Sequence, residues 1–370
     1  MKTTMYNRVV AKRHETNLVL SDFSVENLGP IPKFSAQKLG MINLILGENS
    51  CGKTFLMKML YSACKAMETY KKGKNIAPLA EVVETKLYWT FQSDPLTNII
   101  SKKLKKADRV MSFSCTTTSG ESLEVQMSAE GRIKVSDHPQ AYGRAIDGKK
   151  INSVFLPAKE VLTSHPIIVA SRDDDAQFGF DDTYYDLAKI LLRPSTKGKS
   201  YANMAKARSL INGIFDAKAV YDGENKKWFI QKGNDQFDVS EASEGIKKLS
   251  ILDILLGNKY IGPGSIIFID EPESALHPAA ISQFMDAIFQ MSKDGIQFFM
   301  ATHSYFVVKK LENIARKNKM DIPVFSYQTQ SNSQTAPPAW VTGNMKEGLP
   351  DNPIMRESVA LYKEDLERYF

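Results

Sequence analysis

Apolar positions along this chain follow two rhythms. Short, largely apolar runs at 41–46, 151–156, 266–269 and 296–300 read as strands buried on both faces of a sheet. Alternating runs at 111–115 and 123–127, separated by Ser119 and Gly120, predict a β-hairpin. Residues 17–25, the Gly29-Pro30 turn and the segment leading to residue 46 predict an opening meander, in which Phe23 is expected to pack in the core. A second meander is expected at 218–239, with Gly223 and Gly233 at its turns. The helical rhythm, apolar at every third or fourth residue, runs through positions 56, 59, 60, 63 and 67. It returns at 182–192 and 202–215, split by Pro194 to Gly198, then at 246, 249, 252 and 255, closed by Gly257. A further helix is expected through 281, 284, 285 and 288, between Pro278 and Gly295. A last strand is expected at 322–327, with polar loops at 136–150 and 328–338. The chain closes on a narrow stripe, Met355, Val359, Tyr362, Leu366 and Tyr369, expected to dock on the core or else to face a partner.

Strands alternating with helices predict an α/β protein with an antiparallel flank. Composition fits: 43% of the 370 residues are hydrophobic and 24% charged. No run approaches the roughly 20 apolar residues of a membrane span, and the N-terminal residues lack the apolar core of a signal peptide, so a cytoplasmic protein is expected. Three cysteines without a C-x-x-C pair argue against a disulfide framework or a zinc site. The net charge of +6 is mild, but basic clusters at 102–106 and 309–319 could touch DNA or RNA, or simply form solvated helix faces.

The sharpest chemistry lies at Gly47-Glu48-Asn49-Ser50-Cys51-Gly52-Lys53-Thr54, a complete G-x-x-x-x-G-K-[ST] loop between a predicted strand and a predicted helix. Gly47 and Gly52 let the backbone N–H groups of Asn49, Ser50 and Cys51 curl around phosphate. Lys53 reaches the β/γ-phosphates, and Thr54 suits Mg²⁺. Chance alone produces the four fixed positions in a chain this long roughly once in a hundred sequences of average composition. Cys51 fits either as an oxidisable thiol or as a small loop residue. Far downstream, Ser243 and Gly245 open the apolar helix that begins near Ile246, which makes a second anion site or an ordinary helix cap. Asp270 and Glu271 end a buried strand, where open α/β sheets place their ligands. Asp270 suits the shell of Mg²⁺, and Glu271 suits a general base on water. His303, just past the next strand, suits a γ-phosphate sensor, although a histidine there also serves structurally.

In this order the elements resemble the ABC-type ATPases, and more narrowly the branch of SMC-like proteins and OLD-family nucleases. The spelling Asp-Glu-Pro-Glu-Ser-x-Leu-His-Pro at 270–278, followed by Ala-Thr-His-Ser at 301–304, carries that narrower likeness. The resemblance implies an α/β P-loop NTPase of ABC type with an antiparallel β flank and an inserted helical subdomain. It implies ATP with Mg²⁺, a signature motif at Ser243 to Gly245, and Gln92, at the end of the apolar segment 86–92, as a further group reaching the metal. It also implies a homodimer or higher homo-oligomer joined head to tail through nucleotide, with Ser243 and Gly245 of one subunit on the γ-phosphate held by Lys53 of the other. Glu244 stands where the usual signature carries glycine, which argues against a transporter cassette.

The expected division is one ATPase unit over 1–370: core halves at 1–90 and 218–330, an inserted hairpin and helical region at 91–217, and a C-terminal loop and helix at 331–370. The 67 residues after His303 are too few for the Toprim nuclease domain of OLD proteins. The expectation is therefore an ATPase that controls a separately encoded effector, a nuclease or toxin, in a bacterial antiphage or abortive-infection module. The competing expectation is a repair or chromosome-maintenance ATPase acting on DNA.

Overall fold

A computed structural model describes residues 19–70, 77–103, 105, 109–136, 152–196, 198, 201–328 and 339–367. Most of the polar loops expected at 136–150 and 328–338 fall outside them. The chain opens with β1 (Leu20–Leu28), β2 (Ile31–Gln37) and β3 (Ile42–Leu46), then α1 (Lys53–Thr69) and α2 (Leu79–Phe91). Next come β4 (Val110–Thr117), β5 (Ser122–Ser128), β6 (Ile133–Val135) and β7 (Ser153–Leu156). Helices α3 (His165–Asp173), α4 (Asp182–Leu191) and α5 (Ala202–Ile214) follow, then a meander of β8 (Lys218–Asp222), β9 (Lys227–Lys232) and β10 (Asp235–Asp238). The chain continues through α6 (Glu244–Gly257), β11 (Ile266–Asp270), α7 (Pro278–Lys293), β12 (Gln297–Ala301) and α8 (Tyr305–Asn318). It ends with β13 (Pro323–Gln328), β14 (Ala339–Asn344) and α9 (Pro353–Glu367).

The main sheet has the order β14-β13-β3-β12-β11-β7. From β13 to β7 every pairing is parallel, and β14 closes the edge antiparallel to β13. Its strands are apolar on both faces because both faces are covered. Ile42, Leu44, Ile267, Ile269, Phe298 and Met300 face one core with α4 to α8, while Ile45, Phe268 and Phe299 face a second core shared with α1 and the flank. One buried amide ties the flank to this sheet, and a second bridges two strands within it. Gln297 donates to the carbonyls of Leu20 and Gly40 and accepts from the Leu20 N–H, and Asn43 donates to the Phe298 carbonyl.

The flank is an antiparallel sheet of order β2-β1-β4-β5-β6. Phe23 is buried, as its pattern predicts, edge-on to Phe34 and Phe325 at 5.4 and 6.0 Å between ring centroids. Phe34 stacks on Trp340 of β14 at 5.1 Å, and Trp340 meets Tyr327 at 5.4 Å, so one aromatic column joins flank and main sheet.

Three features depart from the pattern reading. The hairpin β4–β5, expected inside an inserted region, is hydrogen-bonded along β1 and belongs to the flank, while β7 takes the edge of the main sheet. Residues 79–91 form a helix, because Val83 and Leu87 repeat at helical spacing against α1. The C-terminal stripe does not dock along its length. Ile354 and Met355 meet the core, but Val359, Tyr362 and Leu366 stay 48, 65 and 40% exposed. The helix that α9 touches, α8, carries the Lys310–Asp286 and Arg316–Glu312 ion pairs.

Candidate nucleotide site

The C-terminal ends of β3, β11 and β12 open on one edge of the main sheet, and the loops that follow them build the site. Between β3 and α1 the backbone alternates between ordinary and left-handed conformations, with φ of 154° at Gly47, 64° at Ser50 and 102° at Gly52. That alternation curls the N–H groups into an anion-binding concavity at a helix N-terminus. A Cβ on Gly47 would stand 2.7 Å from Cys51 Sγ and 2.9 Å from Tyr327 Cβ. On Gly52 it would meet Pro30 and Ile31 below 3.0 Å. Both glycines are therefore dictated by conformation and by space.

A cleft of about 370 Å³ opens over this loop, bordered by Asn49, Lys53, Thr54, Asp270, Glu271 and His303. The Walker A, Walker B and histidine positions singled out in the sequence thus share one cavity. Lys53 Nζ donates to the Gly47 and Glu48 carbonyls at 2.9 and 2.8 Å, held against the loop a phosphate would enter. Burial lowers its pKa from the usual lysine range, opposed by the nearby carboxylates. Thr54 Oγ1 donates to Asp270 Oδ2 at 2.9 Å. Burial raises the Asp270 pKa, with the Thr54 hydrogen bond opposing it. A hydroxyl and a desolvated carboxylate in contact beside a phosphate loop suit Mg²⁺, which takes few protein ligands and completes its shell with phosphate and water. Among the described residues no group of three or more His, Cys, Asp or Glu forms a metal cage.

Glu271 has φ of 50°, a left-handed conformation that costs a non-glycine residue on the order of 1 kcal/mol or more. Its peptide is pinned on both sides: its N–H donates to the Ala301 carbonyl at 2.9 Å, and its carbonyl accepts from Ser274 N–H at 3.0 Å and from Lys248 Nζ. Glu273 braces the next loop, accepting from Thr302 Oγ1 at 2.8 Å and from the His303 N–H at 2.9 Å. His303 is exposed at the cleft edge, and partial burial with the Lys53 charge lowers its pKa.

Ser243 and Gly245 stand elsewhere. Ser243 is the exposed N-cap of α6, its Oγ accepting from the Ile246 N–H, and neither residue borders the cleft over Lys53. Gly245 is buried against the loop after β11, where a Cβ would lie 2.8 Å from the Ala275 carbonyl oxygen. Glu244 pairs with Lys247 at 2.8 Å. Gln92 is not brought to the cleft. It is the left-handed C-cap of α2, and its Oε1 accepts from the Gly179 N–H at 3.2 Å, because residues 79–91 form a helix that ends on another loop. Cys51 is buried, with its thiol pKa raised by burial, and acts as a small packing residue beside Gly47.

Two participants escape the sequence reading. Glu273 lay in view, one step past Pro272 in an acidic run, with nothing in its spelling to show that it braces the histidine loop. Lys248 is 6% exposed on the inner face of α6, and burial lowers its pKa to about 8 despite the opposing charges of Glu273, Glu271 and Asp270. A lysine between Ile246 and Leu249 in an apolar helix was its only signal.

Fold and site together define an α/β P-loop NTPase of ABC type. A family model described as "AAA domain, putative AbiEii toxin, Type IV TA system" matches residues 138–309. No curated protein matches the sequence. Among solved structures, the SMC head bound to the C-winged helix domain of ScpA aligns at a TM-score of 0.50 and 10% identity, covering 89% of this chain and 98% of that one. The SMC head domain from Thermotoga maritima aligns at 0.45 and 13% identity, covering 88% and 98%. The first of these likenesses extends the fold assignment over most of the chain.

Proposed function

We propose that this chain binds ATP with Mg²⁺ between two copies packed head to tail, hydrolyses it, and thereby controls a separately encoded effector. The observation that carries the reading is the separation of two anion sites: Lys53 lies in a cleft open on one side, while Ser243 caps the exposed N-terminus of α6 and does not border that cleft. A second copy would bring the two together. Thr54 and Asp270 would hold Mg²⁺, which supplies charge neutralisation at the phosphates. Glu271 accepts the proton of the attacking water, Lys53 steadies the β/γ-phosphates, and His303 offers a ring nitrogen at the γ-phosphate.

A toxin–antitoxin setting is supported by the description of the family model that spans 138–309, "putative AbiEii toxin, Type IV TA system"; control of a separate nuclease or toxin in an antiphage module is our extension of it. The measurement that tests it is affinity purification from the native host with and without phage challenge. A stoichiometric protein released by ATP turnover is expected; a chain that hydrolyses ATP fully as a monomer and retains no partner would refute the reading.

The SMC-head likeness favours a second reading, an ATPase acting on DNA. Its electrostatic footprint is thin. In the basic stretch on α8, Lys309 and Arg316 both pair with Glu312, and Lys310 pairs with Asp286. Salt-dependent DNA binding that raises ATP turnover would establish this alternative.

A further inference from the structure

The two half-sites are physically joined inside one subunit, and the joint is Lys248. Its ammonium sits five residues past the Ser243 cap of α6 and donates to the carbonyl of Glu271. A cation near a helix N-terminus opposes the helix dipole, and burying it adds a desolvation cost. Stability does not account for the choice. What the lysine gains is Glu271 itself: of the two donors to that carbonyl, Ser274 belongs to the same loop, and only Lys248 comes from another element. The packing agrees, because Gly245 brings the first turn of α6 so close to the loop after β11 that a Cβ there would stand 2.8 Å from the Ala275 carbonyl oxygen.

We infer that Lys248 is a positioning residue that fixes the left-handed backbone of Glu271, and through it makes hydrolysis in one site of the dimer depend on what α6 touches in the other. The inference rests on the head-to-tail dimer proposed above. When the N-terminus of α6 engages the partner's nucleotide, any shift of that helix is passed through the Lys248 ammonium to the peptide that carries the general base. Each site then reports its occupancy to the other.

The test compares the wild type with Lys248→Met and Lys248→Gln in the full chain, measuring ATP affinity by calorimetry, steady-state turnover, its Hill coefficient and thermal melting. For Lys248→Met we expect ATP affinity within about threefold of wild type, kcat lower by about a hundredfold, and a Hill coefficient near one. Lys248→Gln keeps a donor without the charge and should recover part of kcat. Wild-type kcat in Lys248→Met would overturn the inference while leaving the dimer reading intact. Loss of ATP affinity in step with kcat, or a collapse of melting temperature in both variants, would overturn it by making Lys248 a support of the fold. A wild-type enzyme that turns over as a monomer would instead remove the dimer, and the coupling with it.

Discussion

The phosphate loop and the N-terminus of α6 are both built to receive an anion, yet one is finished and the other is not. At the loop every element is in place within one chain: two glycines forced by sterics, a lysine folded onto its carbonyls, and a threonine paired to the acid that would share its cation. At α6 the cap is exposed, its first residue pairs with Lys247, and it stands apart from the cleft over Lys53. The difference shows that a motif can be locally complete and still describe only half of a site.

The largest effect is expected from Glu271→Gln, which keeps the geometry but removes the base. Turnover should fall about a thousandfold while ATP still binds, and gel filtration with ATP should show the dimer accumulating. Near-normal turnover would break the assignment of roles. A second experiment sharpens the asymmetry of the two anion sites. Lys53→Ala should lose about a hundredfold in ATP affinity by calorimetry, and Ser243→Arg should bind ATP normally yet fail to turn it over. Mixed in equal amounts, the two inactive variants place one intact composite site in about half the dimers, so turnover should recover to at most about a quarter of wild type, and to less where the coupling through Lys248 requires the second site to be filled. The smallest effect belongs to Gly245→Ala, whose methyl group must push on the Ala275 carbonyl. Thermal melting should report a loss of about 1–3 kcal/mol, where the same change at an exposed helix cap would be nearly silent.

Much of this site is legible in the sequence because phosphate chemistry ties particular residue types to fixed spacing. Lys53, Thr54, Asp270, Glu271 and His303 could be named from their motifs, and the parallel strands beneath them from runs too apolar to have an exposed face. What stayed hidden depends on contacts between distant segments. Lys248 reads as an ordinary lysine until α6 lies against the loop after β11, and Gln92 reads as a metal ligand until its segment proves to be a helix. The pairing of β4 with β1 is likewise invisible to a pattern that knows alternation but not neighbours. The stripe on α9 shows the opposite failure, since its periodicity is real but the helix it touches, α8, carries ion pairs.

The aromatic column between the two sheets has an optical consequence. Of the chain's three tryptophans, Trp340 meets Tyr327, whose Cβ lies against Gly47 at the mouth of the phosphate loop. Any tightening of that loop around a ligand is transmitted to the indole through a single residue. Its emission is a natural gauge of occupancy, available without a label and readable in the unmodified protein.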